Sequence, residues 1–549
     1  MFFNNLNRFG DATALIDADT EASISYSQLE TYVALKVEKI DQSRRCLIFI
    51  EASNSIETVI NYLACLRCGH VVYLLDSFED DKTQVLIEHY QPNILLSEEK
   101  IDIQNQKTIN LHPSLRLLLS TSGSTGSPKF VKLSSENIQS NASAICEYLD
   151  MVTSDRCLCH LKLHYSFGLS ILNSYLLAGA SIVLTSCQVN DDKFSLNINK
   201  YKVTSFSGVP YTFETLSRTN FSIENHPSLS CVTQAGGKLE AEMVRSISNN
   251  YASYGVKFYV MYGQTEASPR ISYLPYDLAE QHPASIGQAI PGGTLSLVDE
   301  KKAEITSPNI QGELVYRGPN VMMGYAESVL DLLRDDTPEY LLTGDIAYFD
   351  KNGLFYITGR SKRFVKLFGI RVSLDEVQST LKTICPHSAV TGNDKHIVVA
   401  LSHNAIPILT LRSSLSEKFS LPESVFTFLE YDEIPLMVTG KYDYKAIMNT
   451  AGKSDVKNQS LLSRLKDFIL GTLGLLENDW GSVFELFNGT LSGVQVTGND
   501  TFDSLGGDSL SYVSLSVELE GLLGSYFPSD WSSLPVSELD LLYQKKLSE

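Results

Sequence analysis

Residues 117–134 read LLLSTSGSTGSPKFVKLS. An apolar, strand-like run enters seven small or hydroxylated residues, Ser120 to Gly126, and continues through Pro128 and Lys129 into a second strand-like run. Small side chains let backbone N–H groups approach a polyanion, hydroxyls add donors, and a lysine adds charge; together these bind polyphosphate. A Walker loop needs Gly-Lys followed by Ser or Thr at the start of a helix, whereas Lys129 is followed by Phe130 and more strand-like sequence. The loop therefore spans two strands and reads as flexible. On composition alone, a polar hairpin turn is the competing reading.

Around this loop, the runs CLIFIE (46–51), VVYLLD (71–76), SIVLTS (181–186) and KFYVMYG (257–263) read as buried strands. They alternate with helical patterns, which predicts an α/β architecture with parallel sheets. After about Ile290 the texture changes. TLSLVDEKKAEI (294–305), GELVYRGPNV (312–321) and GLFYITGRSKRFVKLFG (353–369) carry short strands, turn glycines and charged hairpins, which predicts a smaller antiparallel unit. AGKSDVKNQS (451–460) reads as a polar linker.

The bulk properties exclude several classes. The 549 residues are 43% hydrophobic and 20% charged, an ordinary globular composition with room for three or four domains. A net charge of −20 disfavours nucleic acid as a partner. No apolar run reaches the roughly 18 residues of a membrane span, and MFFNNLNRFGDATALID lacks a basic start with an apolar stretch, so a cytoplasmic protein without a membrane span is expected. The acid is uneven: residues 461–549 hold 13 Asp and Glu against 4 Lys and Arg, and both tryptophans, Trp480 and Trp531. That shift marks a separate small acidic domain. Cys65-Leu-Arg-Cys68 and Cys157-Leu-Cys159-His160 could be written as a zinc site, but helical or alternating apolar spacing around them puts the thiols into cores.

The loop resembles the phosphate-loop signature of the adenylate-forming superfamily, which contains acyl-CoA synthetases, luciferases and nonribosomal peptide synthetase adenylation domains. Further motifs follow in the superfamily's order: ISYSQLE (24–30), YLACLRCGHVVYLLD (62–76), MYGQTEAS (261–268), GELVYRGPNVMMGY (312–325), LLTGDIAYF (341–349), GLFYITGRSKRFVKLFGIRVSLDEVQ (353–378) and PLMVTGKYDY (435–444). The resemblance implies a large N-terminal part over residues 1–360, with parallel sheets and a distorted barrel. A small α+β subdomain over 361–450 and an all-α four-helix carrier domain over 461–549 would follow.

It also implies roles. Thr121, Ser122, Ser124, Thr125 and Lys129 would hold the β- and γ-phosphates of ATP, and Thr265 would touch the α-phosphate. Glu266 would hold Mg²⁺; Asp345 and Arg360 would contact the ribose; Tyr262, Gly236 and Gly237 would line the nucleotide slot. Lys441 would be the catalytic lysine between substrate carboxylate and α-phosphate, and Lys362 the hinge about which the small subdomain turns. Ser166, Phe167, Ser170, Thr233, Ala235, Met261, Pro269 and Arg270 would form the acid pocket. Amino-acid-activating members carry an aspartate where this chain has Ser166, so no carboxylate meets a substrate ammonium there, and a non-amino carboxylic acid is favoured. Arg270 could pair with a polar or second acidic group on the substrate, or point away into a salt bridge. Phe130 stands where the superfamily usually has glycine, and Met437-Val438-Thr439 before Gly440 is a further departure.

FDSLGGDSL (502–510) resembles the phosphopantetheine attachment motif of carrier proteins, with Ser509 as the modified residue. A helix N-cap or a lipase-like elbow are the other readings of Ser509, and the elbow lacks its Gly-x-Ser-x-Gly. The resemblance implies ATP, Mg²⁺ and 4′-phosphopantetheine, a phosphopantetheinyl transferase as partner, and a downstream acyl-accepting enzyme acting in trans. An acyl-CoA ligase with an unrelated tail, an amino-acid-activating didomain and a non-catalytic carrier scaffold are the alternatives.

Overall fold

The computed structural model describes the chain apart from residues 41–42, 99, 121–128, 220, 361–362, 368–369, 394, 403–405, 420, 438–441, 452–480, 492–495, 506–508, 529 and 549. It divides into two compact units, Met1–Ala451 and Gly452–Glu549.

The first unit is built on two large sheets. Four apolar runs read from the sequence are strands of these sheets. In the seven-stranded sheet, Leu115–Ser120, Val71–Leu75, Leu47–Glu51 and Ile94–Leu96 run parallel, with antiparallel neighbours at both ends. In the nine-stranded sheet, Lys257–Gly263, Cys231–Gln234, Ser205–Gly208, Arg156–Cys159, Ser181–Leu184 and Thr13–Asp17 run parallel, and Arg270–Leu274 adds antiparallel beside Lys257–Gly263. All five residues of Val71–Leu75 are buried, because helices cover both faces of such a strand and leave no solvent side for polar residues. One core holds residues of both sheets, among them Ile48, Leu117, Leu15 and Met261. Helix Ile56–Arg67 contributes nine buried residues, and Ser55 caps it by accepting from the Thr58 N–H.

The loop strands behave as their sequence requires. Leu115–Ser120 and Phe130–Ser134 pair antiparallel, Ser120 opposite Phe130, so the loop between them joins two strands rather than a strand and a helix. Phe130 is fully buried against Tyr73 and Tyr90, at ring-centroid distances of 4.5 and 4.6 Å. The ring replaces the usual glycine because an aromatic core lies beneath that end of the loop to receive it.

The predicted antiparallel texture after Ile290 is a five-stranded sheet in the order Glu304–Ile305, Thr294–Val298, Gly312–Arg317, Leu341–Phe349, Phe355–Arg360. Among the described residues it is an open sheet. Its outer strand does not return to Glu304–Ile305, because Phe355 exchanges backbone hydrogen bonds with Ile286 and Gly287 instead and so ties this sheet to the nine-stranded one. Beyond Arg360 lie the hairpin Phe364–Leu367 with Ile370–Ser373, helix Leu374–Lys382, and a three-stranded sheet, Ser388–Gly392, Ile397–Ser402 and Phe426–Tyr431, around a core of its own.

The second unit is helical in its described residues: Val483–Thr490, Phe502–Leu505, Ser509–Leu523 and Val536–Leu547. Trp531 is 2% exposed at its centre, 5.3 Å from the Phe502 ring, and Val483, Leu486, Leu519 and Leu539 close around it. Most of the polar linker read at 451–460 lies outside the described residues.

All nine cysteines are free thiols. Burial pushes the Cys159 thiol up to about 12, and the Cys65 and Cys157 thiols rise for the same reason. Among the described residues no group of three or more His, Cys, Asp or Glu could hold a metal, and no helix is long and apolar enough to cross a membrane.

Candidate active site

Strand Lys257–Gly263 carries both ends of the site. At its close, Tyr262 donates its hydroxyl to Asp345 Oδ2, while Arg360 Nε lies 3.2 Å from Asp345 Oδ1. The pairing of Asp345 with Arg360 is fixed by strand register, since the two are direct partners across Leu341–Phe349 and Phe355–Arg360. Asp345 is 7% exposed, and burial raises its carboxyl above the ordinary aspartate range even though Arg360 and the Tyr262 hydroxyl pull it down. Three strands thus meet at a carboxylate that can accept from paired hydroxyls.

After Gly263 the chain turns through the short helix Thr265–Ala267 and returns as Arg270–Leu274. Gly263 has no alternative at this crossing, because a Cβ there would lie 2.0 Å from the Pro269 carbonyl oxygen. Two side-chain amides clamp the turn. Asn320 Nδ2 donates to the Ala267 and Arg270 carbonyls at 2.6 and 2.7 Å, and Asn141 Nδ2 reaches the same two at 3.4 and 3.3 Å. The Glu266 carbonyl accepts from the Met322 N–H at 2.9 Å, and Glu266 Oε1 accepts from the Tyr325 hydroxyl at 2.9 Å. No cation pairs with Glu266 among the described residues, so a half-buried carboxylate is left to a hard cation, which suits Mg²⁺.

Tyr325 also reaches the phosphate loop. Lys129 Nζ sits 3.6 Å above the Tyr325 ring centroid and 3.6 Å from Glu327 Oε1. Lys129 and Glu266 therefore meet at one tyrosine, with Thr265 next to Glu266 in the chain, while Thr121, Ser122, Ser124 and Thr125 lie outside the described residues, as do Lys362 and Lys441. Gly236 and Gly237 follow strand Cys231–Gln234; a Cβ on either would press on Val209 or Pro210, and Gln234 Nε2 braces the turn by donating to the Gly237 carbonyl at 2.8 Å.

Where the acid pocket is expected, a narrow pocket partly open to solvent lies between helix Ser166–Ala178, helix Ser135–Tyr148 and the nine-stranded sheet. Of the pocket residues read from the sequence, Ser170, Thr233, Met261 and Arg270 line it. Phe167 lies beneath, its ring 4.6 Å from the Arg270 guanidinium carbon, and Ala235 and Pro269 are buried outside the lining. Ser166 opens its helix, half-buried, and does not line the cavity either. Sequence reasoning missed Ser174, Tyr175, Ser205 and Ser207 on the lining, because their exposure to the cavity depends on which strand faces which helix. It also missed Tyr325, Asn320 and Asn141, although Tyr325 and Asn320 stood within the quoted motif GELVYRGPNVMMGY.

In the second unit, Ser509 is the first residue of helix Ser509–Leu523. Its side chain, and Gly506, Gly507 and Asp508, lie outside the described residues.

The comparisons with known proteins agree with this geometry. Residues 110–326 match the family described as AMP-binding enzyme. A mitochondrial medium-chain acyl-CoA ligase of Mus musculus is 31% identical over 273 residues, 48% of this chain and 43% of the relative. Bacitracin synthase 2 of Bacillus licheniformis is 23% identical over 567 residues, 95% of this chain and 21% of the relative. The chain spans less than two thirds of the length of these relatives. Among solved structures, o-succinylbenzoate coenzyme A synthetase of Bacillus subtilis with AMP superposes with a TM-score of 0.66 at 21% identity, over 80% of this chain and 96% of that one. ATP-bound MatB of Rhodopseudomonas palustris does so with a TM-score of 0.67 at 21% identity, over 82% and 99%. The fold is the one these solved structures share, and residues 110–326 are similar to AMP-binding enzymes.

Proposed function

We propose that the chain activates a non-amino carboxylic acid with ATP and transfers the acyl group, as a thioester, to a phosphopantetheine arm on its own C-terminal unit. The observation that supports the reading is strand Lys257–Gly263 with its turn, which lies within the residues similar to AMP-binding enzymes: Tyr262 near the strand's end holds Asp345, and Glu266 in the turn accepts from Tyr325.

In the first step a carboxylate oxygen attacks the α-phosphorus of ATP, the bond to pyrophosphate breaks, and an acyl-adenylate forms. The protein's part is positioning and charge neutralisation. Asp345, held by Arg360 and Tyr262, would fix the ribose; Thr265 would contact the α-phosphate; Lys129 and the hydroxyls of residues 121–125 would hold the outgoing phosphates. Lys441 would meet the charge gathering between carboxylate and α-phosphate. Mg²⁺ held by Glu266 would neutralise oxygens of the nucleotide. In the second step a thiol attacks the acyl carbon and AMP leaves; the small subdomain would turn about Lys362 between the two steps.

The destination of the acyl group rests on Ser509 in its motif, at the start of a helix, in a small helical unit. The similarity to bacitracin synthase 2 supports this, since a match over 95% of the chain extends into the C-terminal unit. Transfer to coenzyme A is the second reading, favoured by the similarity of about half of the chain to a medium-chain acyl-CoA ligase.

Intact mass after co-expression with a phosphopantetheinyl transferase tests the carrier step: wild type gains the arm and then an acyl group given ATP and an acid, and Ser509→Ala gains neither. An arm on Ser509→Ala would sink the attachment site, and a free CoA thioester made equally well by Ser509→Ala would favour the second reading. Lys441→Ala is expected to slow acid-dependent pyrophosphate release about 100- to 1,000-fold.

A further inference from the structure

We propose that the cavity beside strand Arg270–Leu274 takes a short dicarboxylic acid, one carboxyl reacting and the second held by Arg270. The inference rests on the adenylation reading only for which carboxyl reacts.

Arg270 is 3% exposed, yet no carboxylate pairs with it among the described residues. Its Nη2 donates to Ser170 Oγ at 3.3 Å, the Tyr148 hydroxyl lies beside it, its face stacks on Phe167, and its Nε is buried with no hydrogen-bond partner. A guanidinium does not shed its proton in a protein, so burial leaves a full positive charge whose counter-charge the fold does not supply. The salt bridge pointing away from the cavity, open as an alternative in the sequence, is not formed among the described residues.

The walls around it also present donors. Ser207 and Thr233 share one hydrogen bond at 2.7 Å across adjacent strands, and Tyr175 shares another with Ser205. Each pair uses one hydroxyl hydrogen internally and leaves one free to donate. The lining contains no carboxylate. A neutral ligand group would leave the guanidinium charge uncompensated, and a substrate ammonium would be repelled by it. A carboxylate matches both the charge and the fork geometry. Arg270 is the strand partner of Gly263, two residues before Thr265, so the held end stays near the turn that carries Thr265, which favours a short acid.

Equilibrium binding to the full chain decides the matter without requiring turnover. Malonate and succinate are compared with propionate and butyrate, the acids that match them in length but lack the second carboxyl. At least one diacid is expected to bind about tenfold or more tighter than its match, the effect of one charged hydrogen-bonded contact. Arg270→Met should erase that advantage, and Arg270→Lys should keep part of it. Thermal melting reports whether each variant folds; if Arg270→Met does not, a severalfold loss of the diacid advantage in Arg270→Lys carries the test. Monoacids binding wild type as tightly as diacids, or a diacid advantage unchanged by the substitutions, would overturn the proposal. Pyrophosphate exchange run in parallel separates the two readings. Diacid-selective binding without exchange for any acid refutes adenylation and leaves this subsite standing, whereas equal exchange with both acid classes refutes the subsite alone.

Discussion

Asp345 and Arg270 are both buried charges beside the end of strand Lys257–Gly263, and the protein treats them differently. Asp345 has its counter-charge built in, with Arg360 across a fixed strand pair and the Tyr262 hydroxyl on the other oxygen. Arg270 has hydroxyls, a ring face and an empty Nε. On the proposed reading the nucleotide is the same in every turnover, so its receptor can be complete in advance. A counter-charge withheld from Arg270 makes the substrate the missing half, and that is how a site with few polar groups can select one class of acid.

The comparison breaks most readily at Asp345. Its raised carboxyl means the folded state holds the proton more tightly than the unfolded chain does, so ionisation costs stability as pH rises through that range. Asp345→Asn should therefore melt at or above the wild-type temperature while weakening ATP binding about 10- to 100-fold. A stability loss with unchanged ATP affinity would show that the carboxylate serves the fold. For the same reason, nucleotide affinity should decline on the acid side at a higher pH than an ordinary aspartate would give, read from AMP titrations across pH.

His160 offers a third way to bury an ionisable group. Burial pushes it down to about 4, so it stays neutral in the fold while the unfolded chain's imidazole titrates near 6.5. The unfolded state binds the proton first as pH falls. His160 should then leave stability intact above pH 6.5 and subtract about 1.4 kcal/mol per unit between 6.5 and about 4. His160→Gln should flatten that part of the denaturant-melt profile. The smallest effect is expected at Tyr325. Tyr325→Phe keeps the ring under Lys129 but removes the bond to Glu266, and should raise the Mg²⁺ concentration for half-maximal pyrophosphate release about three- to tenfold.

Much of the large unit was legible because its signals are local. Runs such as VVYLLD need only their own apolar residues to read as buried strands, and the phosphate loop's small residues announce a strand–loop–strand without any distant partner. The motif order then supplied Thr265, Glu266, Asp345 and Arg360, which the fold brings to one region. What sequence could not supply depends on remote packing. Arg270 was visible as an odd residue, but its burial comes from Phe167, Tyr148 and Ser170, more than a hundred residues away along the chain for two of the three. The edge of the five-stranded sheet at Phe355 is taken by Gly287, far back along the chain, a pairing that no local signal announces. Ser166 was counted back from a motif and sits at the right helix, yet one turn short of the cavity wall that Ser170 forms.

The clamp at Asn320 bears on how the acid preference of the proposed activity could be altered. One amide grips both the Ala267 and the Arg270 carbonyls, with Asn141 behind it, so the segment bearing Glu266 and Arg270 behaves as a single rigid bracket. A bulkier acid cannot gain room by shifting that bracket without dragging the metal carboxylate along. Natural drift or laboratory evolution toward new acids is therefore channelled to the opposite wall, where Ser170 and Ser174 on helix Ser166–Ala178 can change size independently of the chemistry.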